Sequence, residues 1–503
     1  MGEISAEPMR PASSFHPVDI APTRSSYTSP QPPKKAKSIT LDCTLRDLYT
    51  LDDDTSSEPV ILAYDHPCKF PRDQSTDTGP GRFLYSANFP GISAEEETPN
   101  LYKRGVAQRY SFVAGRSPVI MIDLSGDGGE DLAAILSTST RDAYRVYEQL
   151  CPDQRPDVKF VKSLQDVQGG TALRTALIIP QDHLRELPQI LDPDDHYEIL
   201  SKRWLAVCGL PTPPSTVVDP RPVESWGAGQ QQHADGTDAE IKRMLRHVEE
   251  RALPFVVKVS IATSGRGTYV VRSESDRQSA LDELDQVLDE TLHKLHDSNQ
   301  SLYPASLVIQ ELIPGEACGV TFFVTKKGRV VYLAASRQRF DDEGHWKGGC
   351  VSYLAQPAYK KRYWNTIETL AKKLHSKGYY GPAGADIMTD ETGTQMIVDV
   401  NPRVTGSYHL GFLKGHFIRR GMFEAAVLSH LMMRCTRDMF EAQFASEIAD
   451  GRLIINAWVH DSSGESSYGA VTVGGEDSVR LGRLVKAIET FVETGECAVS
   501  AEL

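Results

Sequence analysis

The stretch GADIMTDETGTQMIVDVNPR, residues 384–403, decides the fold. Two apolar runs flank TDETGT, a turn segment in which Gly393 is available for positive φ, and the spacing predicts a β-hairpin centred near residues 392 and 393. In that register Asp386 stands opposite Asp399. Asn401, two residues past Asp399, points to the same face because side chains alternate along a strand. Like charges placed across a ladder repel, so the arrangement is costly unless a cation sits between the two carboxylates. Magnesium answers that cost, since it takes hard oxygen ligands and fills its remaining positions with water and nucleotide phosphates. A solvated acidic face is the alternative.

Upstream, LPFVVKVSIATSGRGTYVVRS (residues 253–273) reads as an apolar strand carrying Lys258, a Gly-containing loop and a returning strand. A loop of Ser264, Gly265, Arg266 and Gly267 can bring backbone N–H groups to phosphate oxygens, with Lys258 as a point charge. A structural hairpin reads equally well there. SLVIQELIPGEACGVTFFV (306–324) gives a strand, an acidic hinge with Glu316 just after its turn, and a second strand. ILSKRWLAVCGLPTPPSTVV (199–218) places Lys202 on a helix that ends at Gly209 and leads through Pro into a strand.

Taken in order, SKxxL…GLPTP, VVKVSIATSGRG, IQELIPGE and GADIM…IVDVNPR resemble the ATP-grasp superfamily over roughly residues 200–435. The resemblance implies ATP and Mg2+ (or Mn2+), with Lys202 and Lys258 on the phosphates and Ser264 to Gly267 as the lid. It implies an adenine hinge at Gln310, Glu311, Leu312 and Ile313, ribose contacts from Glu316, and Asp386, Asp399 and Asn401 as metal ligands. The family more often carries Glu at the second acidic position, so Asp399, one methylene shorter, makes the bridging of two metals less secure than the binding of one. Arg403 matches the Arg of the family's NPR pattern, and Arg337 in AASRQRF is a second candidate for contact with the transferred phosphoryl group. The implied reaction is carboxylate–amine ligation through an acyl phosphate, with release of ADP and phosphate. A small-molecule kinase and a non-catalytic ATP-binding regulator remain open.

The rest of the chain bounds this reading. Its 503 residues, 40% hydrophobic, suffice for several domains. The class expected is α/β (α+β): a Pro/Ser-rich disordered tail over 1–40, a small α/β domain over 41–200, an ATP-grasp domain over 201–435, and a small α+β C-terminal segment over 436–503. Alternating runs such as PVILAY, SPVIMIDL and DAYRVYEQL support the second of these. SGDGGED, 125–131, is expected to be a plain strand-to-helix turn, because it lacks GxGxxG spacing and carries three acids. The polar insert 219–238 reads as a mobile surface loop before the amphipathic helix AEIKRMLRHVEERAL. A net charge of −14 argues against a nucleic-acid surface. Eight cysteines with no CxxC pair read as reduced thiols, and no apolar run is long enough to span a bilayer or form a signal core. The expectation is a cytoplasmic protein without nucleic-acid or membrane partners, compatible with a homodimer, acting on small carboxylate and amine substrates such as an amino acid or peptide. The histidines, His409 among them, show no ligand spacing and read as structural.

Overall fold

The structure, a computed structural model, describes residues 38–52, 60–64, 81–85, 99–122, 141–161, 174–226, 230–262, 267–315, 317–341, 346–461 and 466–495. Residues 1–37 of the expected tail and the SGDGGED turn lie outside these. Strands β1 (Ile61–Tyr64), β2 (Pro118–Ile122), β3 (Asp157–Val161) and β4 (Thr175–Leu177) form a parallel sheet of order β3-β2-β1-β4. A parallel sheet is covered on both faces, which is why PVILAY and SPVIMIDL are apolar without alternation.

The second sheet is antiparallel, with order β5-β8-β6-β7 for β5 (Ser215–Val218), β6 (Phe255–Val259), β7 (Thr268–Val271) and β8 (Leu307–Glu311). Helices Gln230–Glu249 and Glu274–Leu292 cover it. Ile241, Leu245 and Val248 of the first and Leu284 and Leu288 of the second share a core with Phe255, Val257 and Ile309. Here the chain departs from its composition. The helix begins inside the polar insert expected to be a loop, and Glu240, 3% exposed, accepts hydrogen bonds from the Arg221 backbone N–H and the Arg243 guanidinium. Polar residues with internal partners can be ordered where composition alone suggests solvation.

The third sheet contains β9 (Ala317–Val324), β10 (Val330–Phe340), β11 (Trp346–Ser352), β12 (Gly381–Thr389), β13 (Gln395–Asn401), β14 (Glu424–Met433), β15 (Leu453–Asp461) and β16 (Ser466–Gly475). Its order is β13-β12-β9-β10-β11-β14-β16-β15. β15 and β16 therefore continue the sheet that holds the predicted metal ligands, and the expected boundary at 435/436 falls between strands of one sheet. Helix Gln356–Ser376 packs behind β9 and β10 through Ile367, Leu370 and Leu374.

β12 runs along β9 without a register shift from Gly381↔Val324 to Met388↔Ala317. β13 pairs with β12 through Ile387↔Ile397 but also through Asp386↔Asp399, so Val398 is the extra residue of a β-bulge. The turn is longer than a two-residue hairpin loop. Asp390 accepts N–H bonds from Thr392 and Thr394, and Gly393 takes φ of +87°. The bulge restores the phase that the longer turn would lose, and the predicted pairing of the two acids is found.

The N-terminal region joins the third sheet from the other side. Helix Pro99–Ser111 lies against β15 and β16, with Leu62, Val119, Val427, Trp458 and Val471 in one shared core. Close approach at Gly105 permits this, since a Cβ there would sit 2.0 Å from the Tyr468 ring.

Candidate active site

A cavity of about 280 Å³ is lined by Lys202, by Lys258 and Thr268 of the second sheet, and by Gly319, Gln338, Asp386 and Asp399 of the third. Ser201 builds one wall by capping helix Lys202–Val207: its hydroxyl accepts the Trp204 N–H at 2.9 Å, and the Lys202 N–H donates to the Ser260 carbonyl just past β6. The cap aims Lys202 at the acids, and its Nζ lies 2.6 Å from Asp399 Oδ1. Lys258, 7% exposed, donates from Nζ to the Val398 carbonyl at 2.5 Å. The bulge that aligns the acids thus also presents the oxygen that seats the second lysine.

Asn401 Nδ2 donates to Asp399 Oδ2 at 3.1 Å, while Asn401 Oδ1 accepts from Arg403 at 2.9 Å. Gln338 reaches Asp386 Oδ1 at 3.4 Å, and its own oxygen accepts the Trp346 indole N–H at 2.7 Å. Gly319 leaves the room for this: a Cβ there would lie 1.9 Å from Gln338 Nε2.

The electrostatics divide the two acids. Burial and the facing Asp399 push Asp386 above the ordinary carboxyl range, a rise that Lys202 and Lys258 oppose. Burial also works against the charge on Asp399, but the contact with Lys202 outweighs it and holds that carboxyl low. Lys258 is pushed down to about 8, mainly by burial. Among the described residues no group of three or more His, Cys, Asp and Glu side chains is placed to hold a metal. The set expected for a divalent cation at this end is the two aspartates with the Asn401 amide, whose oxygen here accepts from Arg403. Two facing carboxylates and an amide oxygen make a hard-oxygen set of the kind that suits magnesium or manganese, with the Lys202 ammonium on Asp399 a rival cation and not a ligand.

Several residues that sequence reading did not single out as site residues also line the cavity. Arg109 and Tyr110 come from the end of helix Pro99–Ser111, Gln338 from β10, Trp346 from the start of β11, and His430 from a position in β14 with φ of +60°. An arginine inside the apolar run GVAQRYSFVA was a usable signal for the first; nothing in the sequence marks His430.

Other predicted residues are not brought here. Arg337 is exposed on β10, on the side where Arg339 pairs with Glu489, and strand alternation gives the cavity face to Gln338 instead. Arg337 is not among the residues that line the cavity. The Gln310 amide donates to Ser215 Oγ at 3.0 Å and the Glu311 N–H donates to the Pro214 carbonyl; Leu312 and Ile313 follow in the connection from β8 to β9, and none of the four lines the cavity. Ser264, Gly265, Arg266 and Glu316 lie outside the described residues, and Gly267 closes the β6–β7 hairpin by accepting the Val259 N–H at 2.8 Å. His409, buried, lies 2.7 Å from Thr472 Oγ1 and is not among the lining residues.

Residues 237–401 match the family model described as L-aspartate–L-methionine ligase, ATP grasp. Over this third of the chain the match is to an ATP-grasp family. The matched span takes in Lys258, Asp386, Asp399 and Asn401; Lys202 and Arg403 flank it. Among solved structures, an N5-carboxyaminoimidazole ribonucleotide synthetase in complex with ADP is 11% identical, with 79% of this chain and 96% of that one covered and a TM-score of 0.48. The corresponding synthetase of Staphylococcus aureus with ADP is 12% identical over 87% of this chain and 97% of that one, at a TM-score of 0.46. A biotin carboxylase complex from Campylobacter jejuni is 11% identical over 86% and 90%, at 0.43. With TM-scores below 0.5, nothing further rests on these three. No curated protein matches the chain. Among the described residues no helix is long and apolar enough to cross a membrane, and Cys43, Cys151, Cys208, Cys318, Cys350 and Cys435 are free thiols.

Proposed function

We propose that the protein is an ATP-dependent carboxylate–amine ligase of the cytoplasm. The observation that carries this reading is the meeting of Lys202, Lys258, two facing aspartates, Asn401 and Arg403 around one cavity inside an ATP-grasp module. Lys202 and Lys258 bind the outer phosphates of ATP, and Gln310 to Ile313, at the end of β8 and just beyond it, hold adenine. Asp386, Asp399 and Asn401 would hold magnesium, whose chemistry there would be neutralisation of the phosphate charge.

Arg403, tied to Asn401, steadies the acid substrate beside the γ-phosphoryl group. A carboxylate oxygen forms a bond to that phosphorus as the bond to the ADP oxygen breaks. The amine nitrogen then bonds to the acyl carbon, phosphate leaves, and the proton released from nitrogen passes to solvent. Positioning and charge stabilisation carry such a reaction, so no Ser or Cys nucleophile is required. Because the matching model is described as an aspartate–methionine ligase, amino acids are the substrates to try first.

An ADP-release screen against pools of amino acids and small carboxylates, with product masses measured, tests the reading. An amide together with ADP and phosphate is expected. AMP as the main product would refute the mechanism, and a phosphorylated hydroxyl product would replace the ligase by a kinase.

A further inference from the structure

Another bulge lies against the cavity, in β14. Leu428 pairs with Val471 of β16 and Leu431 with Gly469, so two residues, Ser429 and His430, stand where the partner strand has Ala470 alone. His430 takes φ of +60° there, and among the described residues Tyr303 is the other non-glycine with positive φ. That conformation is costly to hold, although histidine tolerates it better than most residues, and such outliers cluster where a bulge re-aims a side chain at a site. The re-aimed His430 lines the cavity. Its ring meets Trp346 edge-on, with centroids 6.0 Å apart, and Tyr468 at 6.2 Å. Trp346 is itself fixed: its indole N–H donates to Gln338, whose amide reaches Asp386, and a Cβ on Gly406, in the loop after Arg403, would lie 2.2 Å from the indole. A run of contacts thus leads from Asp386 through Gln338 and Trp346 to His430. The ionisable groups around the imidazole are Tyr468 on β16, and Arg109 and Tyr110 on the N-terminal helix, with Arg109 donating to Ser429 Oγ one residue away.

We infer that His430 is the base that receives the proton of the incoming amine. The assignment rests on the ligase reading above, since that reaction is what brings an amine to the cavity. An amine that is protonated in water has no free electron pair, so it must lose one proton before its nitrogen can bond to the acyl carbon. His430 takes that proton on a ring nitrogen and passes it to solvent. The nitrogen pair then forms the C–N bond, the bond from the acyl carbon to the phosphate oxygen breaks with its electrons on oxygen, and the second nitrogen proton leaves with the phosphate. Imidazole suits this work near neutral pH, because one nitrogen receives the proton while the other stays with a holding partner. The two edge-on rings restrict its rotation, and a base held in place is more effective than a free one.

Assays of the full-length protein with MgATP and a mixture of amino acids and simple alkylamines, run beside the same assays with hydroxylamine in place of the amines, test this. Hydroxylamine is largely unprotonated at neutral pH and needs no base to expose its electron pair. His430→Asn keeps a residue that accepts positive φ and removes the imidazole. It should lower amide formation at neutral pH by about a hundredfold or more, as for the loss of a positioned base. Hydroxamate formed with hydroxylamine should fall by less than about threefold, a change of the size that neutral substitutions give. The deficit in amide should shrink as pH is raised past the amine's own pKa, where the free amine is present without help. His430→Gly, which relieves the backbone, should regain amide formation when imidazole is added to the buffer. Amide formation at the wild-type rate in His430→Asn would overturn the assignment. So would equal loss of amide and hydroxamate in both variants with no recovery from imidazole, which would make His430 a structural ring. Wild-type protein that gives hydroxamate but no amide from any amine keeps the ligase reading and sinks the base; wild-type protein that gives neither removes both.

Discussion

The two ends of the cavity solve opposite charge problems with different materials. At the β12–β13 end the acids are answered by lysines, compact charges on flexible stems that can follow a phosphate when one arrives. At the N-terminal end the guanidiniums are planar and braced, Arg109 between rings and Arg403 against an amide. The lesson is one of stiffness: flexible stems meet the acids, and braced planes stand at the other end.

The sharpest way to break that contrast is to disarm the flexible end. Asp399→Asn and Asn401→Ala should each lower Mg-dependent ATP turnover by at least about a hundredfold, as expected for direct metal ligands. Asp386→Asn should do the same while leaving the nucleotide-free protein no less stable in a thermal melt. Its sign follows from linkage: an acid whose folded pKa is raised loses stability as pH rises from the ordinary carboxyl range through the raised value. The asparagine variant should flatten that loss. Normal turnover in all three would sink the metal assignment.

Lys258→Met comes next, with ATP affinity reduced by about tenfold or more for a lost charged contact. In the wild type, whose Lys258 titrates near 8 before nucleotide binds, ATP affinity should fall as pH passes 8, and the variant should lack that fall. The sign for folding is the reverse. A lysine with depressed folded pKa gives up a penalty as pH rises from about 8 toward its ordinary 10.5, so Lys258 makes the empty protein more stable over that window. A smaller effect is expected at the bridge between the ends: Gly319→Ala should displace Gln338 and slow turnover by roughly two- to tenfold, of the order of a kilocalorie. The smallest belongs to the hairpin turn, where one serine inserted after Glu391 should change turnover by less than about twofold, within the scatter of neutral surface changes.

How much of this was readable from the residues follows the chain distance over which each part is built. The acid pair lies on one hairpin, where period-two alternation and turn chemistry decide which side chains meet; the sequence carried Asp386, Asp399 and Asn401 to one face, and Arg403 with them. Lys202 and Lys258 became readable through the order of motifs. Arg109 and Tyr110 were not, because they reach the cavity only after an N-terminal helix docks on β15 and β16, a contact that no local pattern encodes. Arg337 shows the opposite failure: it sits one residue from Gln338, and a period of two sends neighbours to opposite faces. The 219–238 segment failed for another reason. Its polar groups find partners within the fold, the Asp219 carboxylate accepting from Arg203 and Ser306 and the Arg221 N–H donating to Glu240, and composition counts polarity without counting partners.

The bulge at Val398 has a consequence for building on this protein. Because β12 is locked to β9 along its whole length, and the shift in β13 falls between the turn and the acids, the outer end of the hairpin is mechanically decoupled from the inner end. The 390–394 turn is then a place to graft a fluorophore attachment site or an affinity handle, a port on the outside of the module whose occupancy the chemistry inside need not register.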